Sequence, residues 1–200
     1  MSRALGPADI SDLRAYERER DSFRAEVIAL KRLRRVALGP IVTVVCENRT
    51  TVRFQIQEMV RAERMLTDEQ VQGELDAYNP LIPGPGELSM TLFLELTSDA
   101  QLREWLPKLV GIETSLVLRI GDGAGGEEVR CEVEEGHASQ LTREETTAAV
   151  HYVRIRLTPA QQGRFVAERV VLATDHPAYR HEIELGEATK ASLAADWAVA

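Results

Sequence analysis

Four side chains have the types that bind transition metals or trade protons: Glu58, Glu63, His151 and His176. Imidazole nitrogen with carboxylate oxygen suits zinc, iron or manganese, and the same pairing serves general acid–base catalysis. Local spacing does not make a site of them. No two of the four stand at HxxxH, ExxH or HxH spacing, so only the fold can bring them together. His176 precedes Pro177 just past the end of a strand pattern, a place where functional side chains are often displayed. His151 falls on an apolar strand face, the usual position of a hydrogen-bonded core histidine. Two further arrangements carry chemistry. Cys46 in "VVCENRTT" ends a strand in front of a helix, where a thiol pKa can fall far enough for nucleophilic work with a histidine base. A buried structural thiol is the competing reading. Arg49, Arg53 and Arg154 could line an anion pocket near that helix N-terminus, against the competing reading of solvated arginines. There is no GxSxG elbow.

The element that must position Glu58 and Glu63 is "ENRTTVRFQIQEMVRAER", Glu47 to Arg64. Val52, Ile56, Met59 and Leu66 fall at i, i+4, i+7 and i+14 of one helical stripe, and Glu63 occupies the missing i+11. A carboxylate within an apolar stripe requires a partner, an arginine or a ligand. Gln55 flanks the same stripe, whereas Gln57, Arg61 and Arg64 read as solvated. Asn48 or Thr50 supplies the cap.

Around this helix the pattern alternates between α and β. Asp9 reads as the N-cap of a long helix over about 10–36, with Leu13, Tyr16, Phe23, Val27 and Leu30 on one stripe and Arg20 interrupting it. Its basic end "KRLRR" complements the helix C-terminus, and Gly39-Pro40 forbids continuation. "IVTVVC" reads as a strand covered on both faces. A short helix capped by Thr67 follows to Tyr78, then an extended Pro/Gly crossing, "NPLIPGPGEL", then a strand from Glu87 to Leu96. A helix capped by Ser98 or Asp99 reaches about Leu109. "TSLVLRI" and "EEVRCEVEE" read as strands around a hairpin loop, "GDGAGG". That loop is no phosphate cradle, because a strand rather than a helix follows it. Residues 137–145 read as a polar loop. A strand from Ala148 to Leu157 precedes a short helix capped by Thr158, with Pro159 at its first position. A strand over Arg169 to Ala173 ends in the Asp175-His176-Pro177 turn, and "GEATKASLAADWAV" reads as a C-terminal helix.

The expected fold is therefore α+β: a mixed or antiparallel sheet with packed helices, residues 1–200 forming a single domain, and the long N-terminal helix available as a dimer arm. A symmetric homodimer is the expected assembly. The net charge of −8 argues against a nucleic-acid partner. It is unevenly spread: residues 1–40 hold nine Lys/Arg against six Asp/Glu, +3, leaving −11 for the rest. The N-terminal segment lacks an apolar signal core, and no apolar run approaches the ~18 residues of a membrane span, so the cytoplasm is the expected location. The two cysteines form no CxxC pair and fit a reducing compartment.

Several runs together, "ALKRLRRVALGP", "CENRTTVRFQIQEMVRAER", "ELDAYNPLIPGPGEL", "AVHYVRIRL" and "DHPAY", resemble an uncharacterised bacterial family, domain of unknown function family 3501. The resemblance spans most of the chain. It implies a small cytoplasmic protein whose genes accompany rubrerythrin-like and iron–sulfur oxidoreductase genes. It therefore implies an accessory role in a redox or iron-linked system, with a redox protein as partner. The family pattern carries an aromatic residue where Cys46 stands, which argues against an essential nucleophile there. No catalytic residue transfers. The motif positions instead draw attention to a polar cluster: Glu47, Gln55, Glu58, Glu63, Tyr78, His151, Asp175, His176 and Tyr179, with Asn48, Thr50, Arg61 and Asn79 beside them. The alternative function is a metal-dependent enzyme or metal-binding protein built from His151, His176, Glu58 and Glu63.

Overall fold

A computed structural model describes residues 4–134, 142–143 and 145–197. Most of the polar loop expected at 137–145 lies outside them. The first long helix, α1, spans Leu13–Arg34, about 33 Å at the α-helical rise. Asp12 caps it, its carboxylate accepting the Arg14 and Ala15 N–H groups at 2.9 Å. Asp9, expected as the cap, sits one short turn earlier and accepts from Gly6 N–H at 2.9 Å. The helix also ends sooner than expected. The chain passes directly into β1 (Arg35–Leu38), because Val36 and Leu38 are buried in the core while Arg35 and Ala37 face out. Gly39 and Pro40 turn the chain into β2 (Val42–Cys46), buried along its whole length as its apolar run requires.

Two antiparallel sheets enclose the main core. The first runs β1-β2-β3-β9-β6 and the second β11-β10-β4-β5. Here β3 is Glu87–Leu94, β4 Leu116–Ile120, β5 Glu127–Arg130, β6 Glu132–Val133, β9 Val150–Arg156, β10 Val170–His176 and β11 Tyr179–Glu184. A two-stranded ribbon joins β7 (Thr142–Arg143) to β8 (Thr146–Thr147). The segment read as one strand, "EEVRCEVEE", is two. It breaks at Cys131 and crosses from the second sheet to the first, as strands do at the corners of such packings. Leu92, Val153 and Ile155 from one sheet meet Leu116, Leu118 and Leu172 from the other. The period-two pattern of β9 is kept: His151, Val153 and Ile155 point inward. β11 had no counterpart in the sequence reading, since only its first residue, Tyr179, is buried.

Helices α2 (Arg49–Ala62) and α3 (Asp68–Tyr78) build a second core with the N-terminal segment, from Leu5, Val52, Ile56, Val60, Leu75 and Leu81. α1 docks on α2 through Tyr16, Phe23 and Val27, with Phe54 edge-on to Phe23 at 5.6 Å. The remaining α-helices among the described residues are α4 (Asp99–Lys108), α5 (Pro159–Ala167, capped by Thr158) and α6 (Glu187–Ala194). Among the described residues no helix is long and apolar enough to cross a membrane.

Candidate functional site

The polar residues singled out by type and motif divide into three neighbourhoods. The first is the α1–α2 seam. Asn48 caps α2 by accepting from Thr51 N–H at 3.0 Å, and this sets the helix phase. That phase puts Glu58 against α1, where its carboxylate accepts from Tyr16 Oη at 2.6 Å and from Arg20 Nε and Nη2 at 2.8 and 2.9 Å. The Arg20 fork holds the Glu58 carboxyl at a pKa of about 2 against the opposing effect of burial, and the Tyr16 hydroxyl adds to the effect. Burial first, then the facing carboxylate, push the Tyr16 phenol above its ordinary range. Arg20, which seemed to interrupt the α1 stripe, is therefore the partner of Glu58. One turn along, Arg61 donates to Glu17 at 2.6 Å.

Four expectations on α2 are corrected here. Glu63 is exposed beyond the last turn of the helix rather than set in its stripe, and Gln55 is also exposed. The buried stripe is Val52, Ile56 and Val60, because the helix ends at Ala62 and Leu66 lies outside its periodicity. Gln57, read as solvated, is 0% exposed. Its side-chain amide clasps the Ser11 backbone from both sides, accepting from N–H and donating to C=O at 2.9 Å each. Asn79 does the same to Leu5, at 2.8 and 2.9 Å. Helical phase gave no signal for this, since Gln55 and Gln57 flank Ile56 symmetrically and only Gln57 is buried.

The second neighbourhood lies where α1 ends. Arg34 is 1% exposed, and its guanidinium reaches four places. It donates to the carbonyls of Cys46 at 2.8 Å, Glu47 at 3.1 Å and Ser192 at 2.9 Å, and it pairs with the Asp196 carboxylate. Glu47 beside it accepts from the Thr51 and Thr91 hydroxyls at 2.5 and 2.7 Å, and Asn48 Nδ2 donates to Asp196 at 3.3 Å. Tyr152 lies close enough to Tyr78 and Glu47 for both to raise its phenol pKa, after the larger effect of burial. Sequence reasoning missed Arg34 as anything but a C-terminal cation, although it stands in phase with the inward stripe of α1, eleven residues after Phe23. Cys46 sits in this neighbourhood without being activated. Burial pushes its thiol up to about 12, with Arg34 opposing only in part, so no thiolate forms near neutrality.

The third neighbourhood is the β10–β11 hairpin. His176 Nδ1 accepts from Ala178 N–H at 3.2 Å and Nε2 lies 3.0 Å from the Val110 carbonyl, so Nε2 carries the proton. Tyr179 Oη donates to Leu38 C=O at 2.6 Å and accepts from Ile41 and Val42 N–H at 3.1 and 3.3 Å. Asp175 pairs with Arg130 at 3.0 Å on the surface. His151 is elsewhere, on β9, with Nε2 2.9 Å from both Thr147 Oγ1 and Ala148 C=O. Burial lowers its pKa.

The fold thus does not gather the metal candidates. Glu58 faces α1, Glu63 faces solvent, and the two histidines belong to different sheets, each directed at a backbone carbonyl. Among the described residues no group of three His, Cys, Asp or Glu side chains is placed to hold a metal ion. The anion pocket is also divided. Arg49 and Arg53 line a cavity of about 300 Å³ with Glu19, Phe23, Glu26 and Thr50. Arg49 is paired with Asp9 at 2.7 Å, and Arg53 lies over the Phe23 ring at 4.9 Å. Arg154 is not part of that cavity: it stands on β9 and donates to Pro80 C=O at 3.0 Å.

These neighbourhoods contain the residues of the runs quoted above, and comparison with known proteins places them. A family model described as "Protein of unknown function (DUF3501)" matches residues 4–197. The chain belongs to DUF3501. The chain is similar to a solved structure, a novel protein of unknown function from Burkholderia pseudomallei K96243. It is 35% identical, with a TM-score of 0.87 over 96% of this chain and 98% of that one. No curated protein matches the chain.

Proposed function

We propose that this DUF3501 chain is an accessory protein of a redox or iron-linked system, acting by docking to a partner rather than by turnover. One observation carries the reading. The family-motif residues with chemical potential are held by partners within the chain: Glu58 by Tyr16 and Arg20, Glu47 by Thr51 and Thr91, and Tyr179 by the β1–β2 turn. A general base or nucleophile needs a face open to substrate, and these side chains instead join α1 to α2, α2 to β3 and β11 to β1. The redox context comes from the family resemblance. A symmetric homodimer through α1 belongs to the same proposal, supported by Ile28 and Leu33, which are exposed on that helix.

Elemental mass spectrometry on protein purified without a histidine tag, beside a His176→Ala variant, tests the reading. It expects no stoichiometric metal in either. Near-stoichiometric iron, zinc or manganese that drops in a folded His176→Ala variant overturns it in favour of a metal protein.

A further inference from the structure

We infer that the trough between the N-terminal segment and α3 is a docking site for a basic amphipathic helix of a partner protein. This rests on the interaction-protein reading and names the surface and the chemistry of the partner.

The floor of the trough is apolar. Ile10, Leu13, Val60, Met65 and Val71 line a cavity of about 330 Å³ with Leu66 at its rim. Asp12, Asp68 and one cation, Arg14, also line it. A second hollow of about 460 Å³ shares Pro7 and Asp68 with it and runs on along α3 past Gly73 to Asp76. The two hollows adjoin at Pro7 and Asp68 and follow α3 from Asp68 to Asp76, about 12 Å at the helical rise.

Leu66 is the anchor. It is 81% exposed, which is unusual for a side chain of its size. Its exposure is not that of a loose loop. Met65 N–H donates to Val60 C=O at 3.0 Å, and the N–H groups of Leu66 and Thr67 both donate to Gln70 Oε1, at 3.0 and 3.2 Å. Arg64 enters this turn in the left-handed region, φ 52°, a conformation that a non-glycine residue rarely adopts. The backbone therefore fixes a large apolar side chain in water beside an apolar floor, the arrangement of a preorganised binding residue.

Gly73 is the second observation. Glycine in a helix interior is destabilising relative to alanine, yet Gly73 sits mid-way along α3, and a Cβ built there would meet nothing within 4 Å. Nothing inside the chain requires the missing side chain. It faces the channel, and a helix crossing there could approach the α3 backbone more closely than any other residue would allow.

Charge selects the occupant. α3 carries Asp68, Glu69, Glu74 and Asp76 and no Lys or Arg, and the chain has no cation at all between Arg64 and Arg103. Among the described residues no ion pair within 4 Å reaches these four carboxylates, whereas most other acidic side chains on the strands have arginine partners. Asp68, Glu69 and Asp76 line the channel itself. Lysine and arginine flanking the apolar stripe of a bound helix would pair with these three carboxylates, and the steering they give is salt-dependent.

The probe is a fluorescein-labelled 18-residue helical peptide with a Leu/Ala stripe flanked by Lys and Arg, and a control with Glu in place of every cation. Titration of the full chain by anisotropy should show saturable binding of the basic peptide only, weakening as salt rises. Leu66→Ser, Gly73→Leu and Asp68→Asn/Asp76→Asn should each weaken it tenfold or more, with circular dichroism unchanged. Absence of saturable binding, equal binding of the acidic control, or variants that bind like the wild type overturn the docking site. So does a trough variant that changes the sedimentation coefficient of the chain alone, which would make the occupant a second copy. Failure with metal-free protein leaves the interaction-protein reading standing. Stoichiometric metal overturns that reading whatever the peptide does.

Discussion

Glu58 shows how a residue with catalytic potential becomes a structural one. A carboxylate with a depressed pKa resembles a tuned active-site acid until its partners are named, and here both belong to one neighbouring helix. The depression has a thermodynamic counterpart. The stabilisation Glu58 provides is complete above its ordinary value of 4.5 and is lost as pH falls through about 2. We predict that Glu58→Gln lowers stability at pH 7 by about 1.5–3 kcal/mol, the range for hydrogen bonds to charged groups. Urea denaturation from pH 7 to pH 2 should show the gap between wild type and variant closing in acid, and a gap constant across that range would refute the assignment. The same logic separates Gln57 from Gln55: one residue type, two apart, one clasping buried backbone and the other in water. Sequence periodicity marked the inward face of α2 correctly at Val52 and Ile56. It misplaced Glu63 because the stripe was extended past the helix end to Leu66, and nothing local at Ala62 signals that end.

Among the elements, the β1–β2 hairpin best illustrates a structure made by distant residues. "KRLRRVALGP" reads as a helix ending at Gly-Pro, and its local propensities allow it. Tertiary burial of Val36 and Leu38 instead pulls four residues into a strand. The turn is then fixed from across the fold by Tyr179. Gly39 adopts φ 77°, and a Cβ there would come within 2.5 Å of the His181 ring and 2.6 Å of Tyr179 Oη, so no other residue fits. Tyr179→Phe removes one donor and leaves the Ile41 and Val42 N–H groups without their acceptor. We predict a loss of about 1–3 kcal/mol. Hydrogen exchange should accelerate at Ile41 and Val42 while the β3–β9 amides keep their protection; uniform acceleration across both sheets would instead mean that the hydroxyl is not a local clasp. "DHPAY" was legible as a turn, but its purpose was not, because the partner of its tyrosine lies 138 residues earlier at Ile41.

For the molecule as a whole, Arg34 is the tie. It joins the end of α1 to the β2–α2 junction and to the C-terminal helix through Ser192 and Asp196. Removing one member of a buried charged network leaves the others desolvated and unpaired, at roughly 3–5 kcal/mol. Arg34→Met should therefore unfold at markedly lower temperature, and limited proteolysis should cut first between Glu184 and Trp197. Cleavage beginning instead in α3 would show that the C-terminal helix is held by other means. The α+β class, the long first helix and most strands were readable from hydrophobic period, since burial imposes that period directly. The polar network was not, because its members come from opposite ends of the chain. Among the described residues β1 pairs only with β2 and β11 only with β10, so each should present a row of unpaired backbone groups. The two strands lie against each other, bridged by Tyr179. Each therefore covers the flank through which another chain would add a strand, and the hairpin that looks like a turn motif also protects this side of the fold from sheet-to-sheet aggregation.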